Sequence, residues 1–201
     1  MTPRRSGRQK KFKHKTRKSS NKLPIAIGLL IIIAVVAAAV YMFSMNSPSD
    51  SSEPAGKVLL QTSMGNITIQ LRDDKPITTG NFKNLVQQGF YNGVIFQRIV
   101  ADFVIQGGMN ASASVATIPD EVGSNNHNDR GTVAMAKTIQ PNSATSQFYI
   151  NVKDNNDLDS GYTVFGTVIS GMDVVDAISN VTTEDEKPVT DVVIIKAEII
   201  S

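Results

Sequence analysis

The sequence contains no cysteine and no tryptophan, and only two of its 201 residues are histidine. Without cysteine there is no disulfide framework, no thiolate metal site, no cysteine nucleophile and no acylated cysteine behind a signal segment. The compartment stays open on that ground. No Walker-type glycine loop occurs, no histidine pair at metal-ligand spacing, and no nucleophile with a recognisable base. Aromatic residues make up only 6% of the chain.

Charge is unevenly distributed. Residues 1–56 hold ten Lys and Arg against two Asp and Glu, whereas residues 57–201 hold ten against sixteen. The formal net charge of +2 therefore conceals a basic leader of +8 and an acidic remainder of −6. A chain of 201 residues suggests one domain with an appendage, since a domain usually runs to about 100 to 200 residues. The remainder is long enough to bury a core without covalent staples.

Residues 1–22 are polar and basic, from Arg4 and Arg5 to Lys22, with no apolar face, and read as a disordered cytoplasmic tail. Such a run suits nucleic acid or anionic lipid. The neighbouring segment favours the membrane. Ile25 to Phe43 is nineteen residues without a charged side chain. As a helix it would be about 28 Å long at 1.5 Å per residue, close to a hydrocarbon core of roughly 30 Å.

Residues 23–45 are thus predicted to be a single-pass anchor. The basic flank keeps the N-terminus cytoplasmic and sends the C-terminal domain across the membrane. A cleavable signal peptide competes, because Ala37-Ala38-Ala39 offers a small-residue site. Its apolar core should span only about 7 to 15 residues, which favours the uncleaved anchor. Residues 46–56, rich in Ser with Pro48, Pro54 and Gly56, read as a flexible linker.

In residues 57–201, Val58–Thr62 and Asn66–Leu71 predict a hairpin, with Ile67, Ile69 and Leu71 inward. Pro76–Gly89 predicts a helix capped by Thr78 or Thr79, with Phe82, Leu85 and Val86 as its stripe. Asn110–Asn128 reads as a long surface loop. Strands are predicted at Thr132–Ala136, Ser146–Asn151, Val164–Val168 and Val192–Ile200, and a second helix at Met172–Ser179. His127 reads as solvated. Asp154, Asp157 and Asp159 invite a calcium reading, but the spacing does not fit an EF-hand loop, and no metal is expected.

The stretch Val94 to Gly108, VIFQRIVADFVIQGG, is the chemical centre of this pattern. It reads as two apolar strands with a turn at Val100 to Asp102, which sets Ile99 opposite Phe103. The period of two puts Arg98, Val104 and Gln106 on one face. An arginine whose stem covers the core and whose head stays wet is the plain reading. A site built from a cation, an amide and an apolar floor is the other.

Here the chain resembles the cyclophilins, peptidyl-prolyl cis/trans isomerases with a signature of the form F-x-R-V-I-x-x-F-x-I-Q-G-G. The matching residues are Phe96, Arg98, Ile99, Val100, Phe103, Ile105, Gln106, Gly107 and Gly108. Two further blocks agree in order: Gly131 to Ala136 with Pro141 to Ile150, and Gly161 to Gly166. The resemblance spans Lys57 to Ser201.

The resemblance implies a mainly β fold, a closed antiparallel eight-stranded barrel capped by two helices. It implies Arg98 and Gln106 as catalytic residues, with Gln106 steadying Arg98 and the substrate backbone. It assigns Phe103, Val104, Ala136, Tyr149, Leu158 and Tyr162 to substrate binding, with Ala136 and the backbone after it as the edge for an extended chain. Lys137-Thr138-Ile139-Gln140-Pro141 and Tyr162 are similar to the bacterial-type branch. Val104 stands where Met is usual, and Asp157 where the animal pattern has an aromatic, so cyclosporin should bind weakly. Proline-containing polypeptides are the implied partners of a monomer that needs no cofactor. A tethered, non-catalytic module that binds Pro-containing segments is the alternative; retention of both Arg98 and Gln106 favours the enzyme.

Overall fold

The computed structural model describes residues 56–111 and 113–200. The basic tail, the apolar run of 25–43 and residues 46–55 of the linker lie outside the described residues. Among the described residues no helix is long and apolar enough to cross a membrane.

Strands β1 (Lys57–Thr62) and β2 (Gly65–Leu71) form the first hairpin, with Lys57 opposite Gln70 and Thr62 opposite Gly65. Ile67, Ile69 and Leu71 are buried, as the alternation demands. Helix α1 (Pro76–Gln87) follows, with proline in its first turn, where a missing N–H costs nothing. Neither threonine caps it. The helix starts early enough that the cap position falls on Lys75, and Thr78 and Thr79 are buried within its first turn. The N–H groups of Ile77 and Thr78 donate instead to the carboxylate of Glu121, at 3.2 and 2.7 Å.

The remaining strands are β3 (Val94–Ile95), β4 (Arg98–Val100), β5 (Val104–Gly107), β6 (Thr132–Met135), β7 (Phe148–Asn151) and β8 (Val164–Ser170). After β8 come helix α2 (Met172–Ser179), the short strands β9 (Thr183–Glu184) and β10 (Lys187–Pro188), and β11 (Val193–Ile200). Gly171 at the start of α2 has φ +89°, and a Cβ there would lie 2.2 Å from the Asn66 carbonyl oxygen, so only glycine fits.

The expected closed eight-stranded barrel is not formed. The sheet is a strongly curled half-barrel of nine strands in the order β3-β11-β1-β2-β8-β6-β7-β5-β4, with β9 and β10 as a separate pair. Its two edges, β3 and β4, are successive along the chain and separated only by Phe96 and Gln97. Without a reversal between them they cannot pair as antiparallel neighbours. The chain itself passes from one edge to the other.

The main core fills the inside of the curl. Phe82 of α1 lies 4.9 Å from the ring of Phe165 on β8, 5.1 Å from Tyr91 and 5.4 Å from Phe148 on β7. Val175 and Ile178 of α2 join the same core. The loop from Asn110 to Asn128 is largely irregular, as expected, but its end departs from the expected surface course. Asn126 and Asn128 are buried, because their amides satisfy groups behind the sheet: Val164 N–H donates to Asn126 Oδ1, and Tyr149 Oη to Asn128 Oδ1.

Candidate active site

The hairpin carrying Arg98 forms in a different register from the predicted one. Arg98 faces Gln106, Ile99 faces Ile105 and Val100 faces Val104. The turn is Ala101 to Phe103, one residue further along, with Asp102 in the left-handed region at φ 55°. Arg98, Val104 and Gln106 still share a face. Phe103 leaves the strand alternation and turns toward Arg98, whose guanidinium carbon is 5.8 Å from the ring centroid.

The neighbouring strands repeat this division of faces. Val104 on β5, Ala134 on β6, Tyr149 on β7 and Val164 on β8 form a small apolar cluster separate from the main core, with Phe103, Ala136, Leu158 and Tyr162 packed against it. Their chain neighbours Ile105, Val133, Phe148 and Phe165 point into the main core. The period of two thus gives the sheet a second apolar surface, on the face away from the main core.

On that surface lies a groove of about 290 Å³. It is lined by Arg98, Phe103, Val104, Gln106, Ala136, Tyr149, Leu158 and Tyr162, together with Lys137. All eight residues singled out in the sequence therefore come together. Ala136 lies just past the end of β6, which is flanked by β8 and β7 and so is not a sheet edge. Its N–H donates to the Gln147 carbonyl at 2.9 Å.

Arg98 is held from the side of the β9–β10 pair. Its Nε donates to Glu186 Oε2 at 2.6 Å, and its Nη2 lies 3.4 Å from Oε1. The hydrogen bond from Arg98 draws the Glu186 carboxyl below its usual range. Gln106, expected to steady Arg98, instead donates through Nε2 to Gln147 Oε1 at 3.0 Å, and that oxygen also accepts from Gln97 Nε2 at 3.0 Å.

The floor is braced from below. Tyr149 Oη donates to Asn128 Oδ1 at 2.7 Å, and burial pushes its phenol well above the ordinary range. Asn128 in turn donates through its backbone N–H and Nδ2 to Asp159 Oδ1, at 2.6 and 3.2 Å. Asn155 Nδ2 donates to the Phe103 carbonyl at 3.0 Å, fixing the turn beside Arg98. At the opposite end Lys137 places its ammonium 5.5 Å over the ring of Tyr162 and 3.3 Å from Asp120.

Three of these residues escaped the sequence reading for different reasons. Gln147 could have been found, since it stands two places before Tyr149 and so shares its face. Lys137 stood within a family-like block but without a role. Glu186 is 88 residues from Arg98, and no local pattern marks it.

A larger recess of about 580 Å³ lies elsewhere, beside Ser63, Met64 and Val189. Asp191 is its one ionisable residue, so nothing converges there for chemistry. Among the described residues no three His, Cys, Asp or Glu side chains are grouped to hold a metal ion. Asp154 and Asp159 accept protein hydrogen bonds, from Arg130 N–H and from Asn128, and Asp157 is exposed.

Comparison with known proteins gives the family. A family model described as cyclophilin type peptidyl-prolyl cis-trans isomerase/CLD matches residues 57–199. A peptidyl-prolyl cis-trans isomerase of Acinetobacter baylyi is 51% identical over 137 residues, covering 63% of this chain and 73% of the relative. Peptidyl-prolyl cis-trans isomerase A of Dickeya dadantii is 43% identical over 167 residues, covering 77% of this chain and 88% of the relative. The crystal structure of a Cryptosporidium parvum cyclophilin type isomerase superposes with a TM-score of 0.69 at 26% identity, covering 73% of this chain and 98% of that one. With a family model matched over residues 57–199 and relatives of this identity, the chain belongs to the cyclophilin-type peptidyl-prolyl cis-trans isomerases.

Proposed function

We propose that this isomerase rotates X-Pro bonds in exported polypeptides at the outer face of a membrane, anchored by its own N-terminal segment. The observation that carries the chemical part is the meeting of Arg98 and Gln106, directly across from each other, over an apolar groove floor. The barrier to peptide rotation, about 18 to 20 kcal/mol, comes from amide resonance. X-Pro bonds populate both isomers and exchange in tens to hundreds of seconds unaided. No covalent bond is made or broken, so an enzyme need only favour the twisted state.

In the twisted amide the proline nitrogen regains a lone pair that the planar form lacks. Arg98 donates to that nitrogen and so binds the transition state more tightly than the ground state, which is the condition for acceleration. Phe103, Val104, Tyr149 and Leu158 take the proline ring. Gln106, its amide fixed by Gln147, holds the substrate backbone. The extended chain runs past Ala136 toward Lys137 and Tyr162.

The test is a proline-tetrapeptide isomerisation assay on the purified full-length chain. Catalysed exchange at nanomolar to micromolar enzyme supports the reading. An exchange rate equal to the uncatalysed one would leave only a module that binds Pro-containing segments.

A further inference from the structure

We propose that Glu186, at the tip of the β9–β10 hairpin, is a positioning residue that aims the Arg98 guanidinium into the groove before substrate arrives. The proposal rests on the reading of Arg98 as the donor to the twisted amide.

The first observation is the backbone. Asp185 and Glu186 are the two loop residues of the hairpin, with φ of 47° and 65°. A two-residue turn with both loop positions left-handed favours Asn or Asp followed by Gly. Asp185 meets that preference and Glu186 does not. Its Cβ crowds the following carbonyl, as in any non-glycine residue held there. A side chain kept against the backbone preference points to a use for that side chain.

The second observation is what the side chain reaches. Its carboxylate takes Arg98 through Nε and Nη2, and the Glu186 carbonyl accepts the Ile99 N–H at 2.7 Å. One residue thus docks the hairpin on the outer edge of β4 and grips the neighbouring guanidinium. The grip is on the Nε edge, so Nη1 is left for a ligand in the groove that Arg98 lines. An ungripped arginine would have to be ordered by the substrate itself, and prior orientation removes that cost from the transition state. The carboxylate also weakens the positive field at Arg98. Orientation outweighs this loss, because the acceptor is a neutral nitrogen lone pair that rewards a directed hydrogen bond more than net charge.

The experiment compares Glu186→Gly and Glu186→Gln with the parent chain, each alone and with Arg98→Ala. Glycine suits a φ of 65°, so Glu186→Gly should melt at the same temperature or higher. Its kcat/KM should nevertheless fall about tenfold, mostly in kcat, as a lost preorganising contact does. Glu186→Gln, which keeps an acceptor oxygen, should lie between the two. In the Arg98→Ala background the glycine change should have no further effect. The Arg98 Nε–H proton resonance should be sharp and slow to exchange in the parent, and should broaden or exchange in Glu186→Gly.

Full activity of Glu186→Gly beside an impaired Arg98→Ala overturns the proposal while leaving the role of Arg98 intact. Equal losses with and without Arg98 also overturn it, assigning Glu186 a structural role only. A fully active Arg98→Ala defeats the donor role and this proposal together.

Discussion

At the scale of single residues the weight falls on Arg98. Arg98→Ala should lower catalysis about a hundredfold or more, taking roughly 3 kcal/mol for one donor aimed at the transition state. Its side chain is 36% exposed and that of its partner Glu186 is 50% exposed, so the pair contributes little to stability. Activity and melting temperature measured on one sample separate the two roles: lost activity with an unchanged melt assigns Arg98 to chemistry. Arg98→Lys should recover only part, since an ammonium lacks the planar fork. Tyr149→Phe makes the opposite test. It keeps the groove floor but removes the bond to the buried Asn128, so denaturant unfolding should show a loss of about 1 kcal/mol with KM little changed. Asp157, which stands where an aromatic partner of cyclosporin is expected, is exposed and offers no apolar surface. Calorimetric titration should find cyclosporin binding far weaker than nanomolar; tight binding would mean that the register read through this loop is wrong. The eight groove residues were legible because the family motifs fix their order. The strand period adds the common face only of Arg98, Val104 and Gln106, since Phe103, Ala136, Leu158 and Tyr162 lie outside the strands. Glu186 was not, because its partner is brought to it only by the fold.

At the scale of elements, hydrophobic periodicity located both helices and most strands to within a residue or two. Ile67, Ile69 and Leu71 alternate inward, and Phe82, Leu85 and Val86 recur at helical spacing, so local pattern sufficed. Register and closure were less legible. Whether the turn after β4 is centred on Ala101 or Asp102 depends on one residue taking φ 55°, which Asp tolerates but does not announce. Whether the curled sheet closes depends on hydrogen bonding between edges, and no single strand sequence encodes that. The α1 cap failed for a similar reason, since its acceptor comes from Glu121, more than forty residues away. A carboxylate at two N-terminal N–H groups satisfies orphan donors and opposes the helix dipole. Glu121→Ala should therefore destabilise the domain by about 1 kcal/mol in equilibrium unfolding, and Thr78→Val, which removes a buried hydroxyl that bonds nothing, should not mimic an N-cap loss. Glu121 lies outside the groove lining, so kcat/KM should be unchanged, and a drop in activity at constant stability would show that the helix end communicates with the site.

At the scale of the whole molecule, the nineteen uncharged residues from Ile25 to Phe43 separate a basic segment of +10 from an acidic remainder of −8. The two ends make different uses of charge. Lys and Arg close to an apolar span resist transfer across a membrane, whereas Asp and Glu in a following domain have little influence on orientation. The acidic domain should thus lie on the far side, with its groove open to polypeptides emerging there. The expected arrangement has residues 1–22 in the cytoplasm, residues 23–45 in the membrane and residues 57–201 outside. Protease added to intact cells or spheroplasts should degrade the isomerase domain, detected by an antibody against it, while a cytoplasmic marker survives. Alkaline carbonate should leave the chain in the membrane pellet, because Ile25 to Phe43, if helical and uncleaved, would span about 28 Å, close to the hydrocarbon thickness. Release of the domain into the supernatant would mean cleavage after the small residues Ala37 to Ala39, and protection from protease would mean the reverse orientation. Replacing the ten basic residues of 1–22 by neutral ones distinguishes the role of the charge from that of the apolar length. If the charge sets topology, that variant should still pellet with the membrane but lose its uniform orientation, giving a protease-resistant fraction absent from the parent.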